Sequence, residues 1–398
     1  MSVAGLPELA AAAPLRVAIV AGEHSGDTLG AALIEALRAR VPGVHCFGVA
    51  GPKMLAAGCE AFASSEELGV MGLAEVLRHL PRLLRLRGAL LRRLLAARPD
   101  VFVGIDSPEF NLRLARRLKA AGVRTVQYVS PQVWAWRPGR VRTIGASCDL
   151  ILCVLPFETE FYARHQVQAV FVGHPLADEI PLVVDREAAR AALGLAGGRR
   201  IVALLPGSRM AEVTRLAAPF VAAAARIAAH DPHCRFVAPM ASQATREAFE
   251  REVVQAPAAP EIHILLGQVQ QALGACDGAI VASGTATLET LLTGRPMVVA
   301  YKASAVTAFV LRTLGLVKVR YFSQPNLLTG RALVPEFLQE QVTGEALGDA
   351  LLREMGDPAH VHELLEQFDT VHRALRRGGA ALAAQAVIEC ARGGDAAR

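Results

Sequence analysis

The sequence has 398 residues, of which 53% are hydrophobic, 20% charged and 5% aromatic, with a formal net charge of +5. This length favours two domains, and the composition supplies enough apolar side chains for large buried cores. The mild basic excess indicates an anionic partner, but it does not distinguish a phosphate-bearing substrate from an acidic lipid surface or a nucleic acid.

Cysteine spacing and hydropathy exclude further classes of protein. The 7 cysteines are an odd number and no C-x-x-C pair occurs, so neither a disulfide framework nor a zinc knuckle is indicated. We expect reduced thiols in the core of a cytoplasmic protein. Residues 1–14, which we take as a flexible tail, lack the basic start of a signal peptide. No run of about 18 uncharged apolar residues predicts a transmembrane helix, so any membrane association should be peripheral.

The first half of the chain alternates between short apolar runs and amphipathic segments. The apolar runs predict buried strands, and the segments with helical spacing predict helices. The predicted strands cover residues 16–21, 101–105, 125–129, 150–155 and 169–172, and the predicted helices cover 28–40 and 110–121, with Gly122 after the second.

The same alternation restarts after residues 175–195, a stretch with proline and polar breaks that we interpret as the interdomain connection. Repeated strand–helix units predict parallel sheets with helices on both faces. Two such sheets in one α/β chain place the ligand in the cleft between them. The predicted strands here are 200–205, 235–239, 277–282 and 297–301, with helices at 210–229, 285–292 and after about 344.

A glycine-rich turn, Gly22–Asp27, follows the first predicted strand and opens a helix. It is neither the G-x-G-x-x-G dinucleotide fingerprint nor a P-loop. Backbone N–H groups at a helix N-terminus nevertheless suit an anionic or polyhydroxyl ligand. The alternative is a tight strand–helix turn with Asp27 as a cap.

Two similar turns lie in the second half, at Leu205–Arg209 and at Ala282–Glu289. Gly207 permits a close backbone approach, Ser208 is suited to capping, and Arg209 offers a planar fork that matches phosphate oxygens. The second turn places Ser283, Gly284 and Thr285 where a helix begins. Ordinary capping explains either turn alone, but the pair, with one arginine, favours a diphosphate.

Other candidate residues follow strands of the first half. Asp106 lies at a strand end, where ligand sites of open α/β sheets occur, so it is a candidate general base, and Glu109 is a weaker one. The alternative for Asp106 is a helix N-cap. Trp134 is suited either to a sugar site or to loop packing, and a lone histidine such as His174 is more often structural than catalytic.

No Asp-x-Asp motif occurs in the chain. Sugar-nucleotide enzymes that hold a divalent cation often use such a pair of carboxylates. Its absence favours charge stabilisation by Arg209 and helix N-termini, so we expect neither a metal nor another cofactor.

These motifs, in this order, resemble those of the lipid-A-disaccharide synthase family. They extend over most of the chain, from about residue 16 to residue 340. The motifs are Gly22–Asp27, Ile105–Asn111, Ser130–Trp136, Gly173–Pro175, Leu205–Arg209, Ser283–Glu289 and Pro325–Leu328.

The resemblance implies an inverting glycosyltransferase of the GT-B fold, with two facing Rossmann-like domains and the active site in the interdomain cleft. Its reaction would join UDP-2,3-diacylglucosamine to 2,3-diacylglucosamine 1-phosphate, giving a β-1,6-linked disaccharide 1-phosphate and UDP in lipopolysaccharide synthesis of Gram-negative bacteria. We expect an acceptor domain at 15–180 and a UDP-sugar domain at 181–370. The helical segment 371–398 is expected either to cross to the N-terminal domain or to be exchanged in a homodimer.

The resemblance also implies roles for individual residues. Asp106 would be the catalytic base, with Arg209 stabilising the developing charge. Glu289 would hold the ribose of UDP. The donor side comprises Gly207, Ser208, Arg209, Ser283, Gly284, Thr285, Ala286, Glu289 and Asn326, and the acceptor side comprises Glu23, Ser25, Gly26, Asp27, Glu109, Asn111, Trp134 and His174. Two departures from the family pattern, His24 and Ala50, fall on the acceptor side.

A basic amphipathic segment lies in the first half of the chain, between the motifs Gly22–Asp27 and Ile105–Asn111. Seven arginines and no acidic residue lie between Val76 and Arg98. Such a segment suits the headgroup region of the cytoplasmic face of an anionic inner membrane, although its second half, after about Arg87, is better explained as a crossover helix. The residues expected to insert are Val70, Met71, Leu73, Val76 and Leu77.

Two other functions share parts of this pattern. A UDP-sugar 2-epimerase of similar fold would need no lipid acceptor, and a non-catalytic sugar-phosphate binding protein would need no base. No nucleic-acid partner is expected.

Overall fold

The structure is a computed structural model that describes residues 14–68, 73–136, 138–195, 197–304 and 320–393. Side chains are not described at 73–83 or at 135, 136 and 138. The described chain divides into two compact units. The N-terminal unit runs up to Pro175 and resumes at Gly378, and the C-terminal unit is Leu176–Arg377.

The N-terminal unit is an alternation of parallel strands and helices. Each strand is a short apolar run, and most turns between elements contain glycine or proline. Its strands are β1 (Arg16–Ala21), β2 (His45–Ala50), β3 (Glu60–Ser64), β4 (Val101–Ile105), β5 (Arg124–Tyr128), β6 (Leu150–Cys153) and β7 (Ala169–Phe171). Its helices are α1 (His24–Arg40), α2 (Pro52–Ala56), α3 (Leu73–Ala97), α4 (Pro108–Ala120), α5 (Val133–Trp136), α6 (Val141–Ser147) and α7 (Pro156–Ala163), followed by α8 (Pro175–Glu179) at the junction of the two units.

The strands of this unit form one parallel sheet in the order β3-β2-β1-β4-β5-β6-β7. The order reverses between β1 and β4, which pair from Val17 opposite Val101 to Ala21 opposite Ile105. Apolar side chains of the strands pack against helices and form a core that includes the fully buried Phe47 and Phe102. The carboxyl ends of β1 and β4 therefore lie side by side, at the place where ligands bind in such sheets.

The C-terminal unit repeats this architecture. Its strands are β8 (Ile201–Leu205), β9 (Arg235–Met240), β10 (Ile262–Leu266), β11 (Gly278–Ala282), β12 (Met297–Tyr301) and β13 (Glu336–Leu338). Its helices are α9 (Arg186–Ala192), α10 (Met210–His230), α11 (Gln243–Gln255), α12 (Val269–Ala275), α13 (Thr285–Leu292), α14 (Gln324–Thr329), α15 (Gly344–Gly356) and α16 (Pro358–Leu375).

These strands form a second parallel sheet, in the order β10-β9-β8-β11-β12-β13. Here the order reverses between β8 and β11, which pair from Val202 opposite Gly278 to Leu205 opposite Val281. Phe220 on α10 and Phe236 on β9 are buried in the core beneath the sheet. The two predicted phosphate turns, which follow β8 and β11, are therefore neighbours.

The segment that the sequence indicated as a connection belongs to the C-terminal unit. Arg190 on α9 is 5% exposed, and its guanidinium donates to Asp277 Oδ2 at 2.8 Å and to the Ala275 carbonyl at 3.0 Å. Arg186 donates to the other oxygen of Asp277 at 2.8 Å. These ion pairs fix α9 to the strand that follows α12.

The last helix, α17 (Gly379–Ala391), returns to the N-terminal unit. It contacts α1 and the strands β4 and β5, and its apolar face includes Ala383, Val387 and Ile388. All 7 cysteines are buried and free of disulfides, and burial raises the pKa of the Cys46 thiol to about 11. Within the described residues, no helix is long and apolar enough to cross a membrane.

Candidate active site

The strand ends at the switch point of the N-terminal unit carry two of the predicted motifs. Gly22 follows β1, and Asp106 and Ser107 follow β4. The two turns touch, because a side chain added at Gly22 would overlap the Oγ of Ser107. Gly26, inside α1, lies against Ala21, where a methyl group would be 3.4 Å from the Ala21 Cβ. These glycines allow the helix to begin close to the strand that precedes it.

Asp106 lies in an unusual backbone conformation. Its φ is 52° and that of Ser107 is 40°, so two consecutive residues with side chains adopt the left-handed region. Asp106 is half-buried, and burial raises the pKa of its carboxyl group, while a hydrogen bond from the Ser107 backbone opposes that rise. A carboxylate with a raised pKa is a stronger proton acceptor, which suits a general base.

Asn111 supports the turn that carries Asp106. The side chain is 0% exposed and its amide donates to the carbonyl oxygens of Ile105 at 3.1 Å and Asp106 at 2.9 Å. The acceptor contact that the sequence indicated for Asn111 stays a prediction. Gln127 on β5, which sequence analysis missed, donates to the same Asp106 carbonyl at 3.0 Å.

Asp27 is also an internal residue. It is 1% exposed, and its carboxylate accepts from the backbone N–H groups of Gly51 and Lys53, each at 2.9 Å, and of Met54 at 3.0 Å. It therefore caps the N-terminus of α2 and not that of α1, the helix for which the sequence indicated a cap. Asp27 thereby holds the turn that follows Ala50, and its acceptor contact stays a prediction.

A buried carboxylate organises the loop that contains Trp134. Glu158 is 1% exposed and accepts from the Leu155 N–H and from Trp134 Nε1, each at 3.2 Å. It also hydrogen-bonds to Ser130, whose Oγ lies 3.0 Å from the hydroxyl of Tyr162. Burial raises the pKa of Glu158 to about 7. Sequence analysis did not find Glu158, whose only signal was its position three residues into a helix.

The remaining acceptor-side candidates follow strands β1, β4 and β7 of the N-terminal unit. Ser25 is exposed in the first turn of α1, and Glu23, half-buried, precedes that helix. Glu109 is exposed and pairs with Arg140 at 2.7 Å. His174 is half-buried in the turn between β7 and α8. Their acceptor contacts stay predictions.

The first phosphate turn of the C-terminal unit already holds an oxyanion. One carboxylate oxygen of Glu212 accepts from the backbone N–H groups of Ser208 at 3.1 Å and Arg209 at 3.3 Å. The other accepts from the guanidinium of Arg209 at 3.1 Å. Gly207, with a φ of 119°, closely approaches the Glu212 side chain. Its small size therefore accommodates Glu212, and the close approach to a ligand stays a prediction.

The second turn presents the N-terminus of α13. Ser283 donates its hydroxyl to the Phe322 carbonyl at 3.0 Å, and Gly284, with a φ of 152°, precedes the helix. Thr285 is exposed and Ala286 half-buried in the first turn, where backbone N–H groups have no partner within the helix. Since Glu212 occupies the amides of the other turn, α13 is the helix whose N-terminus suits an anion here.

Glu289 lies one turn into α13. It is half-buried, and burial raises the pKa of its carboxyl group, as does the neighbouring charge of Glu179 on α8. A carboxylate at this depth is suited to accepting hydrogen bonds from a diol. The predicted ribose contact is consistent with this position and stays a prediction.

Asn326 cannot make the predicted donor contact without losing internal bonds. Its amide nitrogen donates to the Val334 carbonyl and to Glu336, each at 2.9 Å. Its oxygen accepts from the N–H groups of Leu333 at 2.7 Å and Val334 at 2.9 Å. All four hydrogen-bonding positions of the amide are filled. Asn326 therefore holds the loop between α14 and β13 together, and its donor contact stays a prediction.

Glu336 is a further residue that the sequence did not indicate. Its carboxylate accepts from the Ser323 N–H at 2.8 Å, from the Ser323 hydroxyl at 2.6 Å and from Asn326. The chain before α14 is thereby held next to α13, where the Gln324 N–H donates to Thr287 Oγ1 at 3.2 Å.

Comparison with known proteins decides the family. The chain matches the family described as lipid-A-disaccharide synthetase over residues 17–387. It is 53% identical over 380 residues to the lipid-A-disaccharide synthase of Azotobacter vinelandii, covering 95% of this chain and 98% of that protein. It is 51% identical over 375 residues to that of Pseudomonas aeruginosa, covering 94% and 98%. The chain belongs to the lipid-A-disaccharide synthase family. It is a glycosyltransferase, and its two acylated glucosamine substrates follow from that activity.

Solved structures agree with the GT-B fold of this family. A putative UDP-N-acetylglucosamine 2-epimerase from Listeria monocytogenes has a TM-score of 0.63 at 13% identity, covering 95% of this chain and 96% of that one. The calicheamicin glycosyltransferase CalG4 has a TM-score of 0.56 at 16% identity, covering 96% and 99%. At these identities the likeness concerns the fold alone, so the epimerase alternative gains nothing from it, and the family match decides for the synthase.

The residues of the synthase that were expected to insert into a membrane lie outside the part of the chain whose side chains are described. Val70 and Met71 fall outside them, and the side chains of Leu73, Val76 and Leu77 on α3 are not described. The second half of α3 is a crossover helix, as the sequence indicated, with Leu90 and Leu94 buried in the core. Among the described residues, no three His, Cys, Asp or Glu side chains converge as a metal site would require.

Proposed function

We propose that the C-terminal unit of this synthase binds UDP-2,3-diacylglucosamine and that Asp106 of the N-terminal unit is the general base of the transfer. The observation that carries the donor assignment is the exposed Arg209 guanidinium, which Glu212 engages through one nitrogen only, beside the strand end from which α13 begins. An arginine with unused donors and a helix N-terminus at neighbouring strand ends offer the charge and geometry that a diphosphate requires.

The diphosphate is bound by Arg209 and by the N-terminus of α13. The Arg209 side chain is 81% exposed, and only one of its nitrogens is engaged with Glu212, so it has donors left for phosphate oxygens. The first-turn N–H groups at Thr285 and Ala286 add the positive end of the α13 dipole. Glu289 accepts hydrogen bonds from the ribose.

The transfer is a single displacement. Asp106 takes the proton of the acceptor 6-hydroxyl, whose oxygen attacks the anomeric carbon of the donor. The bond from that carbon to the diphosphate breaks, and UDP leaves with the electron pair. One displacement inverts the anomeric centre without a covalent sugar intermediate. Arg209 and the α13 N-terminus stabilise the charge that develops on the diphosphate, and we propose that they do so without a metal ion.

The decisive experiment is Asp106→Asn, assayed by UDP release with both acylated glucosamines. We expect the turnover to fall about 10²- to 10⁴-fold while UDP affinity, measured by calorimetry, is unchanged. Asp100→Asn is the matched control, because Asp100 is exposed at the opposite end of the same strand. Near-normal turnover of the Asp106 variant would remove this residue from the mechanism.

We also propose that α3 and α4 form the surface that meets an anionic membrane. A groove of about 640 Å³ between these helices is lined by arginines and leucines. None of its arginines forms an ion pair with an acidic side chain among the described residues. Burial, Arg113 and Arg117 lower the pKa of Arg87, so the cluster is self-repelling until an anion joins it. The groove is lined by Leu84, Arg87, Gly88, Leu91, Arg113, Leu114, Arg116, Arg117 and Ala120.

Flotation on phosphatidylglycerol vesicles tests this surface. Arg113→Gln with Arg117→Gln should weaken flotation, because each arginine near an anionic surface contributes about 1 kcal/mol. Arg40→Gln with Arg142→Gln removes the same charge from exposed positions elsewhere on this unit and should leave flotation unchanged. If both double variants floated equally less, the weaker flotation would follow from the lower net charge and not from this surface.

A homodimer that exchanges C-terminal segments stays part of the proposal. In such a dimer, α17 of a second copy would replace the contact that α17 makes with α1 in this chain. Analytical ultracentrifugation of the full chain and of a chain ending at Arg377 would reveal whether the segment holds a dimer together.

A further inference from the structure

The turn that carries Asp106 is strained. Asp106 and Ser107 both have a positive φ, of 52° and 40°, and neither is glycine. Left-handed backbone costs free energy for residues with a Cβ and persists only where the surroundings determine it. Contacts with neighbouring elements must therefore hold Asp106 and Ser107 in this conformation at the carboxyl end of β4.

Hydrogen bonds hold the peptide groups on both sides of the Asp106 Cα. The Asp106 N–H donates to the Tyr128 carbonyl at 3.0 Å. The Asp106 carbonyl oxygen accepts from Asn111 Nδ2 at 2.9 Å and from Gln127 Nε2 at 3.0 Å. One of these amides comes from α4 and the other from β5, so the Asp106–Ser107 peptide group cannot rotate without breaking bonds to two elements.

The side-chain amides of Asn111 and Gln127 are buried with only part of their hydrogen-bonding capacity satisfied. Asn111 is 0% exposed and Gln127 is 1% exposed, and their oxygens, Oδ1 and Oε1, have no partner among the described residues. Buried acceptors without partners are rare and destabilise the folded state. Both amides pack over Gly104, where a methyl group would lie 2.8 Å from Asn111 Cβ and 3.1 Å from Gln127 Oε1. Only glycine leaves this space.

We propose that Gln127 and Asn111 are positioning residues that hold the Asp106–Ser107 turn in its left-handed conformation, with Gly104 providing their space. This inference rests on the proposed role of Asp106 as the base. Neither amide need touch a substrate. Gln127 and Asn111 determine where the Asp106 carboxylate points and how deeply it is buried, because relaxation of the turn to an ordinary φ would move that group.

Gln127→Met tests the proposal, because methionine keeps the volume and removes the N–H donor. We expect kcat to fall about 10- to 100-fold with KM within about twofold, as for a misplaced catalytic group. Thr125→Val is the matched control. Thr125 lies two residues earlier on the same face of β5, is 0% exposed and donates to the Ser147 carbonyl at 3.1 Å. An equal loss of kcat in the control would overturn the inference.

The pH profile separates positioning from general destabilisation. Burial is the main cause of the raised pKa of Asp106, and no charged side chain of the described residues contributes to it. Glu109, the nearest carboxylate along the chain, is exposed and paired with Arg140. A loosened turn would admit water to Asp106 and lower its pKa, so the acidic limb of kcat should move to lower pH in Gln127→Met. An unmoved limb would contradict the proposal.

A double-mutant cycle with Asp106→Asn completes the test. If Gln127 acts through Asp106, Gln127→Met should have almost no effect in the Asp106→Asn background. The same fold loss in both backgrounds would overturn the inference but leave the base assignment intact. Near-normal turnover of Asp106→Asn alone would instead remove the proposed base, and the inference with it. Should Gln127→Met fail to fold, Gly104→Ala displaces both amides and should give the same loss of kcat and the same shift.

Discussion

Glu158 makes the stability of the N-terminal unit depend on pH in a predictable direction. Burial raises its pKa from the ordinary value of 4.5 to about 7. The folded state therefore binds the proton more tightly than the unfolded state does. The contribution of Glu158 to the free energy of unfolding is therefore fully present below pH 4.5, the ordinary pKa of a glutamate. It is lost as the pH rises through about 7, the pKa of Glu158 in the folded state.

The size of this effect follows from the shift. One pKa unit corresponds to about 1.4 kcal/mol, so a rise from 4.5 to about 7 amounts to about 3 kcal/mol. No discount for solvent screening is needed, since Glu158 is 1% exposed. Glu158→Gln carries no titrating group and resembles the protonated acid in shape. We expect its stability relative to the natural protein to rise by about 3 kcal/mol between pH 4.5 and about pH 8.

Urea unfolding followed by tryptophan fluorescence measures this difference. The 2 tryptophans of the chain, Trp134 and Trp136, both lie in α5, so the signal reports the N-terminal unit. Glu160→Gln is the control, because Glu160 lies on the same helix, is exposed and pairs with Arg164. The pH-dependent change in the free energy of unfolding, relative to the natural protein, should be larger for Glu158→Gln than for this control. If Glu158→Gln gave a pH-independent difference, the buried carboxylate would not titrate as argued.

Three further predictions concern the C-terminal unit. Arg209→Ala should weaken UDP binding about 10-fold or more by calorimetry, because a charge-assisted phosphate contact is lost, whereas Arg215→Ala on the same helix should not. EDTA should leave transfer largely intact, and strong inhibition reversed by Mg²⁺ would assign the charge stabilisation to a metal. Asn326→Ala should lower the midpoint of thermal unfolding and UDP affinity together, since four internal hydrogen bonds are lost. A loss of affinity without a change in the midpoint would restore Asn326 as a direct ligand.

The positions of both strand-end sites could be predicted from the sequence. Apolar runs such as Val101–Ile105 and Gly278–Ala282 end in turns with glycine or proline, and parallel strands bring such turns to one edge of a sheet. The helix Thr285–Leu292 has the predicted bounds because glycine stands at each end. Strands β2, β3, β10 and β13 were not predicted, since three of them include charged or exposed positions that break the apolar run.

The roles of individual polar residues were harder to predict, because they depend on partners far away in sequence. Gln127 reaches a carbonyl 21 positions earlier, and nothing in its own strand marks it. Glu212 lies one turn beyond the motif that it caps, where an acidic residue is ordinary in a helix. Motif membership indicated Asn111 and Asn326 as site residues but did not show whether each faces a ligand or the protein interior.

The motif residues differ in how many hydrogen-bonding atoms remain without a partner after folding. This difference separates residues that support the protein interior from residues suited to a ligand. The polar atoms of Asp27 and Asn326 are hydrogen-bonded to backbone groups and, for Asn326, also to Glu336, so a ligand could engage them only at the expense of an internal bond. Arg209 is exposed and retains N–H donors without a partner in Glu212, and the half-buried Asp106 carboxylate lies at the carboxyl end of β4. Loss of a residue of the first kind should therefore reduce stability and activity together. Loss of one of the second kind should reduce activity alone, because the fold does not depend on the atoms that are removed.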